Sequence, residues 1–221
     1  MGTITHVSTQ KPVVAITFDD GPDPIFTPRL LDVLEKYNAH ATFFMIGKNA
    51  ERCPELVQKV ARAGHAIGNH SWNHPSFPSI SGKERRNQFR MCQNAISPYG
   101  EKMFRPPKGH QTIASRLDAL LLRYKVITWN VQVRDWEKHD AQWMANSLTS
   151  HLKPGSIILL HDALWGDIIE EGAEDRAPML EALDMFLAKV GSQFRFVTIP
   201  ELLMYGRAQK RNWYVKDHND W

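Results

Sequence analysis

Cysteine is the scarcest chemistry in this chain. There are two in 221 residues, Cys53 and Cys92. That number excludes a disulfide-built scaffold and a cysteine zinc cage, and leaves either one bridge or two free thiols. No run approaches the roughly 20 apolar residues of a membrane span, so no transmembrane segment is expected. The opening Met1-Gly2-Thr3-Ile4-Thr5-His6 lacks the apolar centre of a signal peptide. The expected location is therefore conditional: secreted or cell-envelope if a leader was removed, cytoplasmic otherwise. A surplus of one charge sign is also missing. The 27 basic and 24 acidic residues give a net charge of +3, and they are interspersed, as in Lys83-Glu84-Arg85-Arg86. This argues against a nucleic-acid partner, which calls for a basic patch or stripe. Internal repeats and a glycine-rich dinucleotide fingerprint are absent as well. What is present is an apolar content of 43%, enough for a large core, with ten His and seven Trp.

The apolar residues come in short runs separated by helical patterns. Runs at 13–17, 41–46, 65–68, 103–105, 125–129, 156–160 and 194–197 read as strands. Between them lie helical stretches at 29–37, 55–62, 82–96, 112–122, 141–152 and 177–190, with a short helix at 201–205. Pro28 and Pro54 stand where helices begin, and Ser81 with Glu84 has capping-box spacing. Strands alternating with helices mean a parallel sheet. Seven to eight such units favour a closed or nearly closed (β/α) barrel in a single domain. Residues 12–205 form that domain, 1–11 read as a polar lead-in, and 206–221 as a C-terminal extension.

The reactive residues fall just past the strands, where a barrel gathers them on one rim. Thr17-Phe18-Asp19-Asp20-Gly21-Pro22 delivers two adjacent carboxylates to a strand end. His70-Ser71-Trp72-Asn73-His74 follows the third strand. If that turn is helical, both imidazoles share a face. With one carboxylate they make an Asp-His-His set with open positions for water and substrate, which suits zinc, cobalt, nickel or ferrous iron. One aspartate is then left beside the ion, where a general base is needed. His161, directly after the sixth strand, stands ready to protonate a leaving group. Arg105 and Asp135 fit as partners of a carboxylate and an imidazole, or as an ordinary ion pair and a loop cap. Trp72, Trp136, Trp143 and Trp165 are candidate stacking platforms for sugar rings; core packing competes for each and is favoured for Trp143, inside a helix.

These motifs, taken in order, resemble the polysaccharide deacetylase family, the carbohydrate esterases of the NodB homology domain. The resemblance covers about 12–205 and rests on Thr17 to Pro22, His70 to His74, Arg105-Pro106-Pro107-Lys108-Gly109, Arg134-Asp135-Trp136 and Leu159-Leu160-His161. It implies a distorted (β/α) barrel and metal-dependent removal of N- or O-acetyl groups from glycans such as chitin oligomers or peptidoglycan. By position it implies Asp19 as base, His161 as acid, and Asp20, His70 and His74 as ligands of a divalent metal, zinc before cobalt or nickel. Arg105 would tether the base and Asp135 tune the acid. Trp136 and Leu159 would wall the acetyl pocket, and the Lys108 amide would be the oxyanion donor. Lys108 stands where the family has Tyr, and Gln132 replaces the first Asp of the fourth motif; neither change touches a ligand, the base or the acid. The expected partner is an acetylated glycan and the expected state a monomer. Alternatives on the same residues are hydrolysis of C–N bonds in a non-sugar compound, a non-catalytic carbohydrate binder, and a ferrous oxygenase.

Overall fold

The computed structural model describes residues 2–165 and 174–212. Most of the stretch after His161 that contains Gly166 and Gly172 lies outside the described residues, as does 213–221 of the expected extension. The order begins β1 (Thr3–Ser8), β2 (Val13–Asp19), α1 (Phe26–Lys36), β3 (Ala41–Met45), α2 (Gly47–Arg52), α3 (Pro54–Arg62), β4 (Ala66–Asn69). It continues α4 (Gly82–Ala95), β5 (Gly100–Phe104), α5 (Ile113–Leu121), β6 (Lys125–Val126), β7 (Val131–Gln132), α6 (Ala141–His151), β8 (Ile157–His161). It ends α7 (Ala177–Val190), β9 (Arg195–Phe196), α8 (Ile199–Leu202) and β10 (Arg207–Arg211).

The main sheet runs β6-β5-β4-β3-β2-β8-β7, with β9 added beside the start of β2, and each of its pairs is parallel. Together with its helices it forms the single-domain distorted (β/α) barrel expected. All seven residues of β2 are buried, because a strand at the centre of a parallel sheet is covered on both faces. Alternate side chains divide between two cores. Val14, Ile16 and Phe18 join Ile158 and Leu160 in one cluster with the helices. Val13 and Ala15 join Phe44, Met103, Trp129, Ile157 and Leu159 in the other. Thr17 and Asp19 share the parity of Ala15, so they continue the second face.

The sheet does not close on itself, since β6 and β7 are its two ends. The gap is filled by β1. Ile4 bridges Ile127 in parallel, the Thr128 amide donates to Ile4 O at 2.8 Å, and the Val7 amide donates to Gly155 O at 2.9 Å. This corrects the expectation of a polar lead-in at 1–11. Thr3, Ile4, Thr5 and Val7 are buried, and β-branched residues suit such a seat. β1 also pairs antiparallel with β10, so 207–211 of the expected extension is a strand paired with β1. β7, β1, β10 and α2 were not foreseen. The fifth expected strand is shorter than read, because past Val126 the backbone turns to β1. Both cysteines are free; Cys92 is buried, and that burial pushes its thiol up to about 12. No helix among the described residues is long and apolar enough to cross a membrane.

Candidate metal centre and active site

Asp20 is the first residue past β2 and has φ 75°. The left-handed backbone turns its carboxylate away from the strand's alternation and sideways to His70 and His74. Asp20 Oδ1 lies 3.3 Å from His70 Nε2 and 3.4 Å from His74 Nε2. The three donor atoms lie within 4.8 Å of one another. The imidazoles do not meet on a helical turn as expected. The 70–76 stretch is irregular, with Ser71 at φ 69° and His74 at φ 58°, and these two reversals bring the ring centroids to 5.0 Å. Lys108 (φ 57°) and Arg134 (φ 49°) share this rare conformation. Each such residue costs about 1–3 kcal/mol, and such residues cluster at functional sites.

The donors fit a divalent ion on three counts. Donors on a tetrahedral ion with bonds of about 2.0–2.1 Å lie about 3.3–3.4 Å apart, which is the spacing found from Asp20 Oδ1 to each imidazole nitrogen. Asp20 Oδ1 is buried and makes no hydrogen bond, while Oδ2 accepts from the Trp165 amide at 3.0 Å; one oxygen is committed and the other is aimed at the imidazoles. His70 Nδ1 is 2.8 Å from Arg105 O. A carbonyl only accepts, so Nδ1 carries the proton and Nε2 presents its lone pair. Burial pushes the His74 imidazole down to about 3 although Asp20 pulls the other way, so His74 is neutral near pH 7. Burial alone would raise Asp20, but His74 and His70 hold its carboxyl well below the usual range.

Asp19 faces the barrel interior. Its Oδ1 accepts from Arg105 at 2.7 Å, and its Oδ2 is 3.7 Å from His70 Nε2. Arg105 has no exposed surface. It donates also to Thr17 Oγ1 at 2.7 Å and to Thr128 O at 3.0 Å, and its guanidinium lies 4.2 Å from the Phe44 ring centroid and 5.5 Å from that of Trp129. On the other side, Asp135 Oδ1 is 2.9 Å from His161 Nδ1, and Oδ2 accepts from the His161 amide at 2.9 Å. Burial opposes charge on His161, but Asp135, then Asp20 and Asp19, drive the imidazole up to about 9. Trp136 meets His161 edge-on, centroids 5.4 Å apart, and packs against the cluster that contains Leu159. Lys108 is near enough for its charge to help depress His74. Gln132 accepts from the Trp129 indole at 2.8 Å.

Thus Asp19, Asp20, His70, His74, Arg105, Asp135 and His161 converge from five strand ends. Three contributors were not foreseen. The Trp165 amide is backbone and carries no motif signal, and Thr17 stands in the first motif without a role assigned to its hydroxyl there. Asp162, buried with Oδ1 unpartnered, accepts from Thr27 Oγ1 at 2.5 Å, and Thr27 Oγ1 accepts from the Asp23 amide at 2.8 Å. This chain ties the end of β8 to the turn after Asp20. A Cβ on Gly21 would lie 2.2 Å from Asp162 Oδ2, so only glycine admits the carboxyl there. Burial pushes Asp162 up to about 7.

A parallel half-barrel with a buried carboxylate–imidazole donor set, flanked by a second carboxylate and an imidazolium, defines a hydrolase of the metal-assisted class. The polysaccharide deacetylase family model matches residues 6–127. A peptidoglycan-N-acetylglucosamine deacetylase of Bacillus cereus is 36% identical over 205 residues, 90% of this chain and 71% of the relative. A chitooligosaccharide deacetylase of Azorhizobium caulinodans is 32% identical over 166 residues, 73% of this chain and 79% of that one. The crystal structure of the Bc1960 peptidoglycan N-acetylglucosamine deacetylase superposes with a TM-score of 0.83 at 32% identity, covering 93% of this chain and 94% of that one. The chain belongs to the polysaccharide deacetylase family, and its class of activity, hydrolytic removal of acetyl groups from glycans, follows from that membership.

Proposed function

We propose that this enzyme removes N-acetyl groups from amino-sugar glycans of the peptidoglycan or chitooligosaccharide kind, releasing acetate. The observation that carries the reading is the division of the carboxylate pair: Asp20 Oδ1 has no partner but two imidazole nitrogens, while Asp19 is held by Arg105. The names of the similar proteins support an N-acetylated amino-sugar polymer as substrate. Peptidoglycan would put the enzyme at the cell envelope.

Asp20, His70 and His74 would hold the divalent ion, zinc first on the N₂O donor set, with cobalt or nickel able to replace it. When bound, the ion supplies Lewis acidity toward the acetyl carbonyl and makes water a better nucleophile. Arg105 occupies Asp19 Oδ1 and leaves Oδ2 to accept the proton of the attacking water. The Lys108 amide donates to the developing oxyanion. Asp135 fixes His161 with Nδ1 protonated, so the opposite ring nitrogen faces the departing amine and donates to it. Trp136 and Leu159 enclose the acetyl methyl.

The test is an acetate-release panel over chitooligosaccharides, peptidoglycan fragments and acetyl-xylan, with metal stripped and restored. Asp19→Asn is expected to bind metal normally and to lose about 10²–10⁴-fold in kcat. Near-normal turnover by that variant would overturn the base assignment. Preference for acetyl-xylan would overturn the amide reading.

A further inference from the structure

We infer that Trp143 and His139 form a second sugar subsite, which stacks a residue of the same glycan outside the acetyl pocket. The inference rests on the glycan reading above. Trp143 is 46% exposed, a large aromatic surface to leave in water. It lies off the core-facing side of α6, which buries Ala141, Met144, Ala145 and Leu148, so core packing does not account for it. Its indole is nonetheless held in place. One face stacks on the His139 ring, centroids 4.0 Å apart at 26°, and its amide donates to Asp140 Oδ1 at 2.7 Å in the helix cap. His139 Nε2 is 3.5 Å from Glu137 Oε2, and Glu137 Oε1 accepts from Arg134 at 3.2 Å.

The result is a stacked aromatic pair, with the Glu137 carboxylate beside the His139 ring and the Arg134 guanidinium bound to that carboxylate, each with open hydrogen-bonding capacity. A pyranose offers the complement: an apolar face of C–H groups for the indole and a ring of hydroxyls for Glu137 and Arg134. The position is continuous with the site already described. Residues 134–143 are one connection, from the end of β7 to the first turn of α6. The same connection supplies Asp135 and Trp136 to the catalytic rim. The acetyl-pocket wall and this surface thus belong to one loop, and a glycan that extends along that loop from Trp136 meets Trp143.

The experiment compares kcat/KM for oligosaccharides of increasing length in the wild type, Trp143→Ala and Trp143→Phe. The ratio of long- to short-substrate kcat/KM is expected to fall about tenfold in Trp143→Ala, the size of one good aromatic stack, through KM, with Trp143→Phe retaining most of it. An unchanged ratio, or an equal loss at every length, would overturn the subsite. Binding of the longest oligomer to Asp19→Asn, by calorimetry, needs no turnover. Adding Trp143→Ala is expected to weaken it about tenfold, and unchanged affinity also overturns the subsite. Absence of acetate release by the wild type would instead strike at the deacetylase reading, whatever the calorimetry gives.

Discussion

His161 is the residue whose charge the surroundings control most visibly. It is half-buried among carboxylates, with Asp135 on Nδ1 and Asp19 and Asp20 farther off. An isolated imidazole loses its proton near 6.5; this one holds it to about 9. The contribution to folding has the same sign. It is complete below about 6.5, where the unfolded imidazole is also charged, and is lost as pH rises through about 9. Asp135→Asn keeps the shape and removes the charge. We expect the alkaline limb of the pH–rate profile to move to lower pH in that variant, read from kcat/KM across pH 5–10; a limb that stays in place would detach Asp135 from the acid. At this scale the convergence of these side chains was largely legible, because the carboxylates and imidazoles follow directly on apolar runs. The supporting contacts were not. The Trp165 amide on Asp20 is backbone, so no residue type announces it, and the pairing of Thr27 with Asp162 spans 135 positions.

Elements divide by how they are buried. β2, β3 and β8 could be read as strands because both faces are covered and every residue is apolar or nearly so. β10, Arg207–Arg211, has no buried residue and is a strand only through backbone pairing with β1. α2 has six residues, too few for a helical period to show. β1 did carry a signal, in Thr3, Ile4, Thr5 and Val7, but its polar half hid it. Its seat also explains Gly155. That residue has φ 80°, and a Cβ there would lie 1.8 Å from Val7 O, against the strand that fills the seam. Gly155→Ala is expected to lower unfolding stability by about 3 kcal/mol or more, combining backbone strain with displacement of β1. Urea denaturation measures it, and an unchanged midpoint would mean that β1 does not need this close approach.

For the whole molecule, the proposed ligands span two loops of the barrel, those after β2 and β4, so an ion that binds only the folded state stabilises all of it. At 100 times its dissociation constant such an ion adds about 2.7 kcal/mol, which for a chain of this size raises Tm by about 5–10 °C. Zinc added to stripped protein is expected to produce that shift and Asp20→Asn to abolish it, read by thermal unfolding; an equal shift in the variant would place the ion elsewhere. The closure of the barrel has a mechanical side. Thr3 is paired with Arg211, so the chain enters and leaves the described domain at the same end of one antiparallel ribbon. Tension applied through both flanks would load the β1–β10 bonds one after another, as a zipper opens, and not all at once in shear. A pull would peel the ribbon at low force, while Asp20, His70 and His74, carried on the loops after β2 and β4, stay outside the loaded path until the seam has given way.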